Sequence, residues 1–157
     1  MNIKHLLAAL LLPVALGAHA APFTVSTNGY EVTDTKTGLI WQRCAEGMTA
    51  SASGCTGTAS VFTHEAALVR ASTQAKATGV AWRLPNVKEL SSIADRSRIR
   101  PAIDMAVFLA TPANLFWSSS PHAGNANEAW NVSFNDGIVS KSSRGSANYV
   151  RLVRAGE

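Results

Sequence analysis

Few residues in this 157-residue chain are placed to do covalent chemistry. Nucleophilic catalysis needs a nucleophile beside a positioned base, and beyond the first twenty residues the only histidines are His64 and His122. No Gly-x-Ser-x-Gly elbow occurs, and Ser118-Ser119-Ser120 reads as the end of a strand. Arg83 and Glu89 could form a ligand-binding or acid–base pair. Glu89, however, lies three residues after Asn86, where it serves a helix start, and Arg83 can pack its stem beside Trp82 while pairing with a carboxylate. His64 opens a predicted helix and reads as an exposed or satisfied side chain. A metal centre needs clustered His, Cys or carboxylate ligands, and the acids here are scattered. The chain is expected to be no enzyme, with no metal and no cofactor.

Binding chemistry is better represented. His122, Asn125, Asn127, Asn131, Asn135, Lys141, Ser143, Arg144 and Asn148 all fall between Ser118 and Asn148. Amides and hydroxyls match sugar hydroxyls, whereas Lys and Arg suit sulfates or carboxylates. Trp130, Val132 and Phe134 alternate with Asn131, Ser133 and Asn135, the period-two pattern of a strand with one buried and one wet face. Asp136-Gly137 then predicts a tight hairpin turn. On that reading Asn131, Ser133 and Asn135 share a wet face, with Lys141 and Arg144 within reach across the turn. A solvated sheet face without a ligand is the alternative.

The elements that must position this region are readable upstream. Tyr30–Asp34 and Leu39–Gln42 predict a first hairpin around a turn with an Asp start and a Gly exit. Ala45 to Thr58 is rich in Gly, Ser, Thr and Ala and predicts a surface loop. Thr63 caps a helix from His64 to about Lys76, ended by Gly79, with Ala67, Leu68, Ala71 and Ala75 on one face. Asn86 and Glu89 form a capping-box pair for a second helix from Val87 to about Asp95. Residues 97–112, bounded by prolines, predict an irregular segment with a helical turn near Asp104. The four tryptophans all sit in motifs that read as buried, and an exposed one would be a stacking platform for a sugar.

Residues 1–20 read as a signal peptide: Lys4, an apolar run from Leu6 to Leu16, then Ala18-His19-Ala20. The run is too short to span a bilayer comfortably. Residues 21–157 then form one α+β domain, periplasmic or secreted, with no membrane span after cleavage. Loss of Lys4 lowers the formal charge from +4 to +3, a mild bias with no basic run, which argues against nucleic acid and permits an acidic ligand. Cys44 and Cys55, an even pair in an exported chain, predict a disulfide contributing on the order of 3 kcal/mol. A metal or redox pair would want a C-x-x-C spacing or a neighbouring His, and neither is present.

Five ordered motifs resemble the Lcl C-terminal domain family. These are Thr37-Gly38-Leu39-Ile40-Trp41, Trp82 to Leu90, Phe116 to Ser120, Trp130 to Gly137, and Tyr149 to Arg154. The resemblance implies a C-type-lectin-like fold, two helices packed on short antiparallel sheets with long surface loops. For some members it also implies carbohydrate or glycosaminoglycan binding as a surface adhesin. The calcium signature of sugar-binding C-type lectins is missing, and Pro112-Ala113-Asn114 is a poor substitute. No cysteine follows Cys55, so the chemistry of the related sulfatase-modifying enzymes does not transfer. The expected function is a secreted, non-enzymatic module binding carbohydrate or a polyanionic, glycosaminoglycan-like surface ligand through the face from Ser118 to Asn148; a protein surface ligand and a homo-oligomer are also open. The alternatives are a structural or accessory subunit of an extracytoplasmic complex, or a divergent relative of those enzymes.

Overall fold

The structure, a computed structural model, describes residues 22–156. The expected leader lies outside the described residues. Three strands open the chain: β1 (Phe23–Val25), β2 (Glu31–Asp34) and β3 (Leu39–Gln42). Between β2 and β3 the Asp34 carboxylate accepts from Lys36 N at 2.9 Å and from Thr37 Oγ1 at 2.7 Å, closing the turn the sequence predicts. A small hairpin of β4 (Thr49–Ser51) and β5 (Gly54–Thr56) follows, then β6 (Val61–Phe62). The Ala45–Thr58 stretch is therefore a folded hairpin and not a plain loop. Cys44 and Cys55 are disulfide-bonded, as expected, with Cα atoms 5.6 Å apart.

Helix α1 (His64–Thr78) has the predicted caps. Thr63 Oγ1 accepts from Ala66 N at 3.3 Å, and Gly79, at φ 69°, returns its N–H to Ala75 O. Helix α2 (Val87–Ser92) is shorter than expected. Its capping box is complete, with Asn86 Oδ1 accepting from Glu89 N and Glu89 Oε2 accepting from Asn86 N. Residues 97–112 are irregular, as predicted. The chain then runs through β7 (Leu115–Pro121), β8 (Glu128–Ser133), β9 (Val139–Ser143), β10 (Asn148–Tyr149) and β11 (Val153–Ala155).

Two principal sheets result. One is antiparallel with order β1-β2-β3-β11, so strands from both ends of the domain lie together. The other has order β6-β10-β7-β8-β9, in which β10 runs parallel to β7 and antiparallel to β6. Successive residues of a strand face opposite sides, and Phe116 and Trp117 show why this sheet is covered on both. Phe116 joins a core with Val132, Phe134, Leu90 and Trp41. Trp117 joins a second core with Ala129, Val150 and the small-residue face of α1, Ala67 and Ala71. Fully burying one such aromatic stabilises by roughly 1.5–3 kcal/mol. The α+β class, with two helices and short sheets, is the one expected.

The hairpin between β8 and β9 forms, but its connection is wider than a two-residue turn. Phe134 folds inward and is fully buried, and Ser133 N donates to Ile138 O at 2.8 Å across the loop. Gly137 adopts φ 78° here, with Arg96 Cγ 2.8 Å from where a Cβ would stand.

Candidate binding face on the β8–β9 hairpin

The sheet cover decides which predicted site residues reach solvent. Asn131 pairs with Trp117 across β7–β8 and is fully buried on the α1 side; its Nδ2 donates to Ser142 Oγ at 2.8 Å. Asn148 lies between β6 and β7, buried, on the far side of β7 from the hairpin. Asn135 sits in the turn at the opposite end of β8 from His122, where its carbonyl accepts from Arg100 N at 2.9 Å. The expected wet row of Asn131, Ser133 and Asn135 is thus not formed. The period-two reading assumes one exposed face, and this sheet has helices or core on both.

What the structure does bring together is the end of the hairpin away from that turn. Trp130 is directly opposite Lys141, and Glu128 is opposite Ser143. Trp130 is half-buried, whereas Trp41, Trp82 and Trp117 are all core. His122 stands edge-on to its ring, with centroids 5.2 Å apart at 90°. Glu128 Oε2 lies 3.0 Å from His122 Nδ1 and 3.6 Å from Lys141 Nζ. The His122 contact is ionic in distance only, because Nδ1 makes no aligned hydrogen bond among the described residues. Glu128 therefore offsets much of the positive field that Lys141 would present alone.

Asn125 and Asn127 form the exposed loop between β7 and β8. Asn125 Oδ1 accepts from Asn127 N at 3.0 Å, and Asn127 O accepts from Arg144 N at 2.8 Å. Arg144 Nε donates to Glu128 O at 3.4 Å, which holds its guanidinium at the edge of the face. Ser143 is exposed, and its Oγ accepts from Gly145 N at 3.4 Å. The face so assembled carries His122, Asn125, Asn127, Glu128, Trp130, Lys141 and Ser143, whereas Arg144 lines a separate cleft with His64 and Leu68 on the α1 side. Sequence alone does not pick Trp130 out as the exposed tryptophan, because nothing in its spacing separates an outward from an inward aromatic.

The other candidate groups are structural. His64 is 2% exposed, with Nε2 3.0 Å from Ser118 O and its ring edge-on to Trp117. Burial lowers its pKa, against the opposing pull of the Ser118 carbonyl, and the nearby Arg144 charge lowers it further. Arg83 meets Glu89 through two hydrogen bonds of 2.8 and 2.7 Å, so Glu89 serves both the helix start and the arginine. Among the described residues no group of His, Cys, Asp or Glu could hold a metal ion. No described helix is long and apolar enough to cross a membrane.

A disulfide-braced α+β domain, with its first and last strands at the two edges of one sheet and a second sheet packed between helices, is the class these features define. The chain belongs to the Lcl C-terminal domain family, whose model matches residues 30–154. No curated protein and no solved structure matches it.

Proposed function

We propose that this protein is an exported, non-enzymatic module that binds a carbohydrate or polyanionic surface ligand through the outer end of the β8–β9 hairpin. The observation that carries this is the half-buried Trp130 directly opposite Lys141. A partly exposed indole next to a cation suits a sugar ring bearing a sulfate or carboxylate, with stacking and charge acting on one ligand. Asn125, Asn127 and Ser143 add amide and hydroxyl partners at the rim. The first and last strands sharing one sheet and the helix-flanked second sheet support a C-type-lectin-like reading of the fold. The Cys44–Cys55 disulfide and the leader-like first twenty residues support an oxidising, extracytoplasmic location.

The test is a glycan array that includes heparin and other sulfated polymers, probed with the oxidised protein at low and physiological salt. Selective binding that weakens with salt is expected. Trp130→Ala and Lys141→Ala should each reduce it about tenfold, the equivalent of one lost charge-assisted or stacking contact. A folded protein that binds nothing on the array, or binds equally well without Trp130 and Lys141, overturns the assignment.

A further inference from the structure

A cleft of about 490 Å³ lies on another part of the molecule, between the C-terminal half of α1 and the first sheet. Its size is within the range of small-ligand sites, roughly 300–1,000 Å³. Glu46 and Arg70 sit at its centre, Gln42, Gln74 and Tyr30 around it, and Met48 and Trp82 supply apolar wall.

Glu46 is the unusual member. It is only 4% exposed, and Oε2 accepts from Arg70 Nε at 2.6 Å. Among the described residues its other carboxylate oxygen has no protein donor. The residue is almost wholly enclosed, yet this oxygen is not sealed from solvent, so it is an acceptor reachable from the cleft. The backbone around it is fixed at both ends: Glu46 N donates to Val150 O at 2.9 Å, and Ser60 N donates to Glu46 O at 2.8 Å. Gly47, at φ 92°, permits this close approach, because a Cβ there would stand 2.6 Å from Ser60 N. The disulfide at Cys44 anchors the same segment.

The remaining groups are complementary to that free oxygen. Arg70 uses Nε on Glu46 and Nη2 on Gln74 Oε1, at 3.3 Å, which leaves Nη1 without a partner among the described residues. Gln42 spends its Oε1 on Leu152 N at 3.3 Å and keeps its amide N–H groups. Tyr30 is 49% exposed, and its phenol has no partner among the described residues. The charges cancel locally, Glu46 against Arg70 and Glu31 against Arg154, the latter pair at 3.0 Å. An anion would have to compete with Glu46 for Arg70, and a cation with Arg70 for Glu46.

We propose that this cleft binds an uncharged, hydroxyl-rich small ligand, in class a neutral mono- or disaccharide. A hydroxyl both donates and accepts, so one diol can donate a hydrogen bond to Glu46 and accept hydrogen bonds from Arg70 and Gln74. Tyr30 covers a sugar face at the rim, and Met48 and Trp82 meet its C–H groups. This site stands independently of the hairpin face and has the opposite salt signature, since no net charge is neutralised on binding.

The experiment is a ¹H–¹⁵N NMR titration of the oxidised protein with glucose, galactose, mannose, N-acetylglucosamine, maltose and cellobiose, at low and high salt. Amide shifts confined to Tyr30, Glu46, Met48 and Gln74 with at least one probe, unchanged by salt, are the expected result. Glu46→Gln and Tyr30→Ala should each weaken that probe about tenfold, whereas Lys141→Ala should leave it unaltered. Tyr30 is on the surface, so its variant keeps the test valid if Glu46→Gln fails to fold. No shift at these amides with any probe, or shifts that persist undiminished in Tyr30→Ala, overturns the proposal.

Discussion

Arg151 Nη2 donates to Thr111 Oγ1 at 2.7 Å inside the core, joining the closing stretch of the chain to the irregular 97–112 segment. The same guanidinium donates through Nη1 to the carbonyls of Gln42, at 2.8 Å, and Arg43, and lies 4.9 Å above the Phe108 ring. No carboxylate is within ion-pairing distance among the described residues. Burial pushes the arginine down to about 9, which leaves it charged at neutral pH and held by carbonyl dipoles and a ring face. Arg151→Met should fill similar volume but take this donor from two carbonyls and leave the Thr111 hydroxyl only its bond to Phe108 O, at 2.7 Å. A loss on the order of 3 kcal/mol in urea unfolding is expected. A variant within about 0.5 kcal/mol of the parent would show that those acceptors are satisfied without it.

His64 gives a pH signature whose sign is fixed by its burial. Its folded-state pKa lies below the ordinary 6.5, so the unfolded chain takes up a proton that the native state refuses. Its contribution to stability is full above pH 6.5 and is lost as the pH falls through that value toward the depressed folded pKa. His64→Gln keeps a donor for the Ser118 carbonyl and cannot titrate. Chemical unfolding between pH 7 and pH 5 should show a shallower loss of stability in the variant than in the parent, and equal slopes would remove His64 as the cause.

The parts of this fold that could be read in advance are those set by neighbours in sequence. The Asp34–Gly38 turn, the Thr63 and Asn86 caps and the Cys44–Cys55 pair each depend on a few adjacent groups, and each formed as expected. Asn131 and Asn148 could not be placed that way. Asn148 is buried because β10 inserts between β6 and β7, and Asn131 because α1 covers the second face of a sheet whose alternation suggested one. Trp130 reads like Trp117 in sequence, yet it pairs with the exposed Lys141 and is left partly wet. Glu46 and Arg70 are separated by 24 residues with no motif between them, so their meeting in a cleft is purely a tertiary result.

Glu128 offers a test of whether the hairpin face recognises negative charge. Its carboxylate is shared between His122 and Lys141, at 3.0 and 3.6 Å, and competes directly with an anionic ligand for the lysine. Glu128→Gln keeps the size and an acceptor oxygen but frees Lys141. Because the pair is partly exposed, the stability change should be small, within about 1 kcal/mol. Heparin affinity at low salt should rise several-fold, with a steeper salt dependence. A fall in affinity would mean that Glu128 contacts the ligand itself and that the face prefers neutral sugars.

The disulfide should matter for the cleft as well as for stability. Cys44 and Cys55 close a short ring around the β4–β5 hairpin, and by loop-closure entropy the bond contributes on the order of 3 kcal/mol. For a domain of this size that corresponds to a melting temperature lower by roughly 10 °C on reduction. Glu46 and Met48 lie just beyond Cys44 and form one wall of the cleft, while Trp130 and Lys141 sit on a separate sheet. Reduction, or the paired change Cys44→Ala with Cys55→Ala, should therefore lower the melting temperature and broaden the amide resonances of Glu46 and Met48. Those of Trp130 and Lys141 should stay sharp at 25 °C. Equal broadening of both regions would show that the bond braces the whole domain, and an unchanged melting temperature would show that the hairpin holds the segment without it.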